Sequence, residues 1–322
     1  LIAALATGAA AGLAMGYVLQ RGQLCFYSAI SDTRAGGTTL LRGWVLGVAL
    51  GSVGLATLYL LPGTGDLNTG LAFRPVANVA GGLIIGVGMA VAMSCVSSLF
   101  FKLGSGMLGA AAGLAGWVIG ELVAKSFTIP GPLVLSGGED ATLPGLLGVP
   151  RLLVALVVAG CAVGWIWTHP EEGDNTENGR WSARRLGIAL AAAITAGWAL
   201  AALGGSSFGP SSVGASASVA AGSPNYWLIA FLVGLIAGGY LAASLAGNIW
   251  IRGEQPVRYA QLGLGGILLG AGGWIAGGCN LGHGLSGAAQ LNVSSFVVVL
   301  AMVAGLAATR AVLPKPTPAA RP

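Results

Sequence analysis

Residues Gly265–Cys279 read GGILLGAGGWIAGGC, and a constant 184 residues earlier Gly81–Cys95 read GGLIIGVGMAVAMSC. The two align without a gap, so that Gly81, Gly82, Gly86, Gly88, Ala92 and Cys95 fall on Gly265, Gly266, Gly270, Gly272, Ala276 and Cys279. Each is an apolar run of helical length, dense in glycine and closed by a cysteine. A shared pattern with a shared ending points to internal duplication rather than to two unrelated glycine-rich helices. The fold then turns on how each copy is oriented.

Composition sets the medium. Of the 322 residues 55% are hydrophobic and only 8% charged, where soluble domains carry about a quarter charged residues. Mean hydropathy is +0.82, and 56 glycines suit membrane helices, whose backbones approach closely at small residues. A soluble domain is excluded on these grounds. A spanning helix needs about 20 apolar residues. Nine stretches qualify, at about 1–20, 40–61, 76–95, 106–124, 151–168, 186–204, 227–247, 261–279 and 296–313. The first carries neither a basic n-region nor an A-x-A site and reads as a spanning helix, not a signal peptide.

With the N-terminus outside, 12 of the 15 basic residues lie in or beside cytoplasmic segments, and only Arg74, Lys125 and Arg151 fall outside. That asymmetry fixes an N-out, C-in expectation. The net charge of +5 follows from this topology. Basic clusters with interleaved aromatics are missing, so nucleic acid is not an expected partner. Nine spans carry the first copy of the repeat from outside to inside and the second from inside to outside, the inverted arrangement many transporters use. The expected organisation is one transmembrane domain over 1–322. It divides into a first half-repeat (1–169), a cytoplasmic connector PEEGDNTENGRWSARR (170–185), a second half-repeat (186–313) and a cytoplasmic tail (314–322). The small, uncharged SSFGPSSVGASASVAAGSPN (206–225) reads as an irregular loop crossing the outer surface.

After each matched cysteine the apolar run stops, giving VSSLFFKLGSG after Cys95 and NLGHGLSG after Cys279. A third such segment, QRGQLCFYSAISDTRAGGTT, carries Cys25. Non-helical backbone at membrane depth is tolerated only where it is buried in protein or lines a cavity. Three breaks are therefore expected to converge on a central path, with helix N-termini offering N–H groups to an anion.

Around Cys95, Ser94, Ser97 and Ser98 add hydroxyl donors. Around Cys279, Gly277, Gly278, Asn280 and Gly282 leave the backbone free to turn its amides toward a ligand. His283 either donates to an anion or holds the loop by bonding a carbonyl. Arg21 beside Cys25, and Lys102 after Cys95, read as inner-surface anchors, although Lys102 also offers charge at the inner mouth. Cys161, among apolar neighbours, reads as packing, and His169 as a solvated surface residue. The four cysteines form no CxxC and no metal-like spacing with histidine, so free thiols are expected and neither metal nor cofactor. Glu121 is the single acidic residue in any expected span and could pair with Lys125 at i+4. A relay of several buried carboxylates is thereby disfavoured. Thiols, hydroxyls, amides and glycine backbone suit a small anion that must be solvated without being trapped.

These motifs resemble the YeeE/YedE family of bacterial inner-membrane proteins that take up thiosulfate and related sulfur compounds. The resemblance rests on RGQLCF around Cys25, MSCVSSLFFKLGSG around Cys95 and, most specifically, AGGCNLGHGLSG around Cys279. It implies an all-α polytopic membrane protein of about nine helices, with an inverted repeat and broken, re-entrant short helices, hourglass-shaped, with two funnels meeting at a thin layer. It also implies that Cys25, Cys95 and Cys279 lie along the path of the ion, and that a cytosolic sulfur carrier of the TusA/SirA type is a partner. The first copy departs from the pattern, with MSC in place of GGC and Lys102 where arginine is usual, which bears on substrate more than on fold. The expected function is thiosulfate uptake by a transporter that is not an enzyme. The order of passage is Cys279 at the outer funnel, Cys95 at the centre and Cys25 inside. The alternatives are transport of another small sulfur or selenium compound, or a membrane-embedded thiol-dependent sulfurtransferase.

Overall fold

The computed structural model describes residues 1–34, 36–127, 129–169 and 181–312. Pro170–Arg180 of the expected connector and the expected tail at 314–322 lie outside the described residues. Among the described residues every regular element is a helix, apart from isolated bridges. The long helices are α1 (Ile2–Gly22), α3 (Thr39–Leu58), α4 (Pro75–Ala92), α6 (Gly109–Lys125), α8 (Arg151–Thr168), α9 (Ala183–Leu203), α11 (Tyr226–Leu245), α12 (Pro256–Ala276) and α13 (Val293–Val312). Short helices α2 (Phe26–Arg34), α5 (Val96–Gly104), α7 (Leu143–Leu147) and α10 (Ala215–Ala220) lie between them, and a π-helical turn covers Gly282–Gly287. Seven helical stretches among the described residues are long and apolar enough to cross a membrane. Helix α6, with 17 residues, and α12 occupy the two remaining expected stretches. The protein is a polytopic all-α membrane protein.

Several ends differ from the expected spans, each for a local reason. Helix α9 starts at Ala183, inside the expected connector, because the Ser182 hydroxyl accepts from Arg185 N. Helix α12 stops at Ala276 because Gly277 turns left-handed at φ 78°. Arg42, from α3, donates to the carbonyls of Ile166 and His169 and so closes the C-terminal end of α8.

Glycine contacts fix how the helices run. A Cβ added at Gly270 would stand 2.0 Å from the Trp117 carbonyl oxygen, and one at Gly120 would stand 2.0 Å from that of Ile267. Helices α6 and α12 are therefore in backbone contact and parallel. Gly82 and Gly86 place α4 parallel to α13 in the same way, against Val298 and Met302. Gly8, Gly12 and Gly16 place α1 parallel to α11, and Gly43 and Gly47 place α3 parallel to α9. Without a hydrophobic drive between helices in lipid, such close backbone packing is what holds them.

The same contacts reveal the repeat. Gly81 meets Gly272 and Ala276, while its counterpart Gly265 meets Ala92, and Gly88 meets Gly265. Equivalent helices α4 and α12 thus pack antiparallel with reciprocal contacts, as an inverted repeat requires. Shifting α1–α6 by 184 residues brings them onto α9, α10, α11, α12, the π-turn and α13. The pairings obey the exchange, since α1 packs on α11 as α9 does on α3, and α12 on α6 as α4 does on α13. Helix α8, packed against α3, has no counterpart and supplies the odd crossing that inverts the second half.

This packing predicts an asymmetry between two glycines. Gly270→Ala should lower the melting temperature in detergent by the equivalent of about 1–3 kcal/mol, the usual cost of overpacking. Gly160→Ala should leave it unchanged or slightly raised, because nothing lies within 4 Å of a Cβ there and alanine is the better helix former. Both are read from thermal unfolding of the purified protein.

Candidate functional site

Each buried cysteine stands two residues beyond a left-handed helix stop. Gln23 (φ 51°), Met93 (φ 48°) and Gly277 (φ 78°) end α1, α4 and α12, and Cys25, Cys95 and Cys279 follow. In all three the next amide reaches back five residues, from Leu24 to Leu19 O, Ser94 to Met89 O and Gly278 to Gly273 O. This closure satisfies the orphan carbonyls at a helix end and turns the chain sharply. Glycine adopts this conformation freely, whereas Gln23 and Met93 hold it at a cost of about 1–2 kcal/mol each. The MSC that departs from the repeat pattern therefore sits at the position where the second copy has Gly277.

The stops bring the thiols inward. Cys25 Sγ lies 3.5 Å from Cys95 Sγ, and both are buried. Cys25 and Cys95 thus form one dithiol site, instead of two successive stations at the inside and the centre. Ser98 is its hub. The Ser98 Oγ is 3.2 Å from Cys25 Sγ and 3.5 Å from Cys95 Sγ, accepts from Cys95 N at 3.0 Å and touches Ser94 Oγ at 2.7 Å. Lys102 Nζ donates to Ser94 Oγ at 3.3 Å, so its charge stands two hydroxyls, Ser94 and Ser98, behind the thiols and not only at the surface. Cys95 is also the N-cap of α5, where the helix dipole favours negative charge.

From the dithiol the polar chain crosses to the second half-repeat. Ser97 Oγ is 3.3 Å from Cys95 Sγ and accepts from Asn280 Nδ2 at 2.8 Å, while Asn280 Oδ1 is buried without a partner. Beside Asn280, Cys279 Sγ accepts from Ser212 Oγ at 2.9 Å and from Leu281 N at 3.3 Å. Ser212 belongs to the segment expected to be a surface loop. It is 1% exposed, and Ser286 Oγ donates to its neighbour Pro210 O at 2.7 Å. The segment is instead the counterpart of the one carrying Cys25, giving four inward breaks where three were expected. Its small residues carry no periodicity, so only the repeat offset, which aligns α10 with α2, could have found it.

Contacts also decide the roles of Gly278, His283, Cys161 and Glu121. The Gly278 amide is taken by Gly273 O and is not free for an ion. A Cβ at Gly278 would meet the His283 ring at 2.8 Å, so this glycine makes room for the imidazole. His283 Nε2 lies 3.0 Å from Ala276 O and Nδ1 lies 2.9 Å from Ser295 Oγ. With Nε2 donating to the carbonyl, Nδ1 is left to accept from the serine, and both ring nitrogens are occupied in holding the turn. Cys161 is exposed on α8 instead of packed, and Glu121 and Lys125 both reach the α10 backbone.

Trp198, Phe208, Ser211, Gly277, Gly282 and Ser286 are among the residues lining a cavity of about 270 Å³. Asn225, Trp227 and Leu228 bring the start of α11 into its wall, and Gly277 and Gly282 bring in the turn that holds Cys279. On the far side of that turn, Trp44 Nε1 donates to Gly284 O at 2.7 Å and packs edge-on to Phe26 at 5.6 Å, tying α3 and the Cys25 segment to the second half. Among the described residues no group of three His, Cys, Asp or Glu side chains could hold a metal ion.

A family model described as sulphur transport matches residues 21–308, which takes in both half-repeats and all three buried cysteines. A thiosulfate transporter of Spirochaeta thermophila, TsuA, is 30% identical over 329 residues, covering 93% of this chain and 96% of its own. The thiosulfate transporter TsuA of Escherichia coli is 24% identical over 325 residues, covering 93% of this chain and 92% of its own. With a match across nearly the whole chain, the inverted repeat and the buried thiols, the protein belongs to the sulphur-transport family.

Proposed function

We propose that this protein carries thiosulfate across the bacterial inner membrane from outside to inside, with its N-terminus out and its C-terminus in. The observation that supports the reading is the set of weak polar groups where the half-repeats meet. Ser212 bonds to Cys279, its chain neighbour Asn280 bonds to Ser97, and Ser97 meets Cys95, which lies against Cys25, Ser98 and Ser94 with Lys102 behind. The names of the two relatives supply the ion. In the N-out orientation the cavity faces outward and Cys279 is the first thiol met.

The ion is a dianion and must leave most of its water. Burying a charge costs several kcal/mol even after relaxation, so donors are needed along the way. Strong ion pairs at the centre would hold it, whereas thiol and hydroxyl donors exchange readily. Neutral thiols offer S–H groups; a thiolate would repel the ion. Ser97 and Asn280 pass it between the halves, and Gly282 keeps the backbone close on the cavity side. His283 contributes by holding the turn, not by touching the ion. Lys102, reached through Ser94, draws the ion onward, and a cytosolic sulfur carrier of the TusA/SirA type takes it up at the inner face.

The adjacency of Cys25 and Cys95 is the one observation that favours thiol exchange instead. Sulfur retained covalently on either residue after uptake, found by mass spectrometry of the purified protein, would turn the reading to a sulfurtransferase.

Uptake of labelled thiosulfate into cells lacking their own transporters tests the path. Cys95→Ala and Cys279→Ala should each reduce it about tenfold, as expected for losing one donor from an otherwise unsatisfied ion. Undiminished uptake by both variants would defeat the reading. Orientation is tested by fusing alkaline phosphatase, which is active only outside, after Leu61 or after Leu245. The first fusion should be active and the second silent, and the reverse pattern would invert the topology.

A further inference from the structure

Glu121 is fully buried on α6, and nothing in the proposed path uses it. A carboxylate there requires compensation, and its partners belong to the other half-repeat. Glu121 Oε1 accepts from Gly214 N at 2.9 Å and from Ala217 N at 3.2 Å, at the start of α10. One turn further along α6, Lys125 Nζ donates to Ala217 O at 3.1 Å. The two side chains therefore grip the amide and the carbonyl of one residue. Two positions before Gly214, Ser212 donates to Cys279 Sγ at 2.9 Å.

These contacts close a ring. Helix α6 is locked to α12 through backbone contact at Gly116, Gly120, Gly266 and Gly270. Helix α12 ends at the stop that presents Cys279. The segment between α9 and α10 contains Gly204, Gly205, Gly209 and Gly214, so its own chain confers little stiffness. Its end at Gly214 is pinned by Glu121 to the same rigid pair that carries the thiol. We infer that Glu121 is a positioning residue, which holds the Ser212 hydroxyl on Cys279 and so sets the donor pair that first receives the ion. The second half-repeat has glycine, Gly305, at the matching place, and there the short helix α2 is tied instead by Arg310 Nη1 to Ser31 Oγ at 2.6 Å.

The inference rests on the proposed path only for its transport readout. Its structural readout is the rate at which N-ethylmaleimide alkylates Cys279 in the purified protein, followed by peptide mass spectrometry, and this needs no substrate. Glu121→Leu, which removes the acceptor, should speed that alkylation about tenfold and raise the half-saturation for thiosulfate uptake by a similar factor, the effect of losing hydrogen bonds to a charged group. Glu121→Gln keeps an acceptor oxygen and should stay within about twofold of the parent in both, a smaller change than one neutral hydrogen bond commonly gives. Ser212→Ala should reproduce the leucine variant without touching α6. Adding Glu121→Leu to Ser212→Ala should then change little, since residues acting through one contact are not additive. Unchanged alkylation in Glu121→Leu, equal loss in Glu121→Gln, or a full further loss in the double variant would each overturn the inference. If altered alkylation is seen while even the parent takes up no thiosulfate, the positioning role stands and the substrate reading falls.

Discussion

Backbone-to-backbone contact at glycine is the constraint from which the rest follows. In a bilayer, lipid tails are as apolar as leucine, so helices gain little by hiding side chains from solvent and hold together by fitting closely. Carbonyl oxygens of Trp117, Ile267, Phe231 and Met302 stand where a side chain would be if Gly270, Gly120, Gly12 or Gly86 had one. Those contacts set the parallel pairs α6–α12, α1–α11 and α4–α13. They also set the antiparallel α4–α12 seam along which the halves are related. Three of the four thiols, with the serine hydroxyls and the Asn280 amide around them, are gathered where the seam ends.

The repeat and its helices were legible because their signals are local and periodic. Apolar runs of the right length gave the nine long helices, and the paired motifs ending in Cys95 and Cys279 gave the inversion. Misplacements of a few residues came from caps, such as Ser182 starting α9 early and Gly277 stopping α12 short. What could not be read was how segments of glycine and serine fold, since they have no hydrophobic face to orient them. Ser212 was invisible for that reason, as was the meeting of Cys25 with Cys95. The Gly278 amide was misread because a glycine beside a thiol looks the same whether it faces a ligand or closes a helix. His283 was open between two roles in sequence, and two neutral partners at its nitrogens decide between them.

The two ends of the site are built from equivalent parts but not from equivalent chemistry. One has a single thiol with a serine hydroxyl beneath a cavity walled by tryptophan and phenylalanine. The other has two thiols sharing one hydroxyl, with an ammonium group behind. Asn280 and Ser97, one from each half, join them. A symmetric backbone thus presents a graded set of donors, weaker at the cavity end and richer at the lysine end.

The helix stops differ in a further way. Gly277 rests in its left-handed turn without penalty, but Met93 at the matching place does not, and neither does Gln23 before Cys25. About 1–2 kcal/mol at each of those residues would be recovered if the turn relaxed to a right-handed conformation. Relaxation would carry on the helix by a residue and swing the following thiol out of line. The stop before Cys279 is therefore at rest while those before Cys25 and Cys95 are sprung, and the dithiol is held together against a restoring force that the lone thiol does not feel.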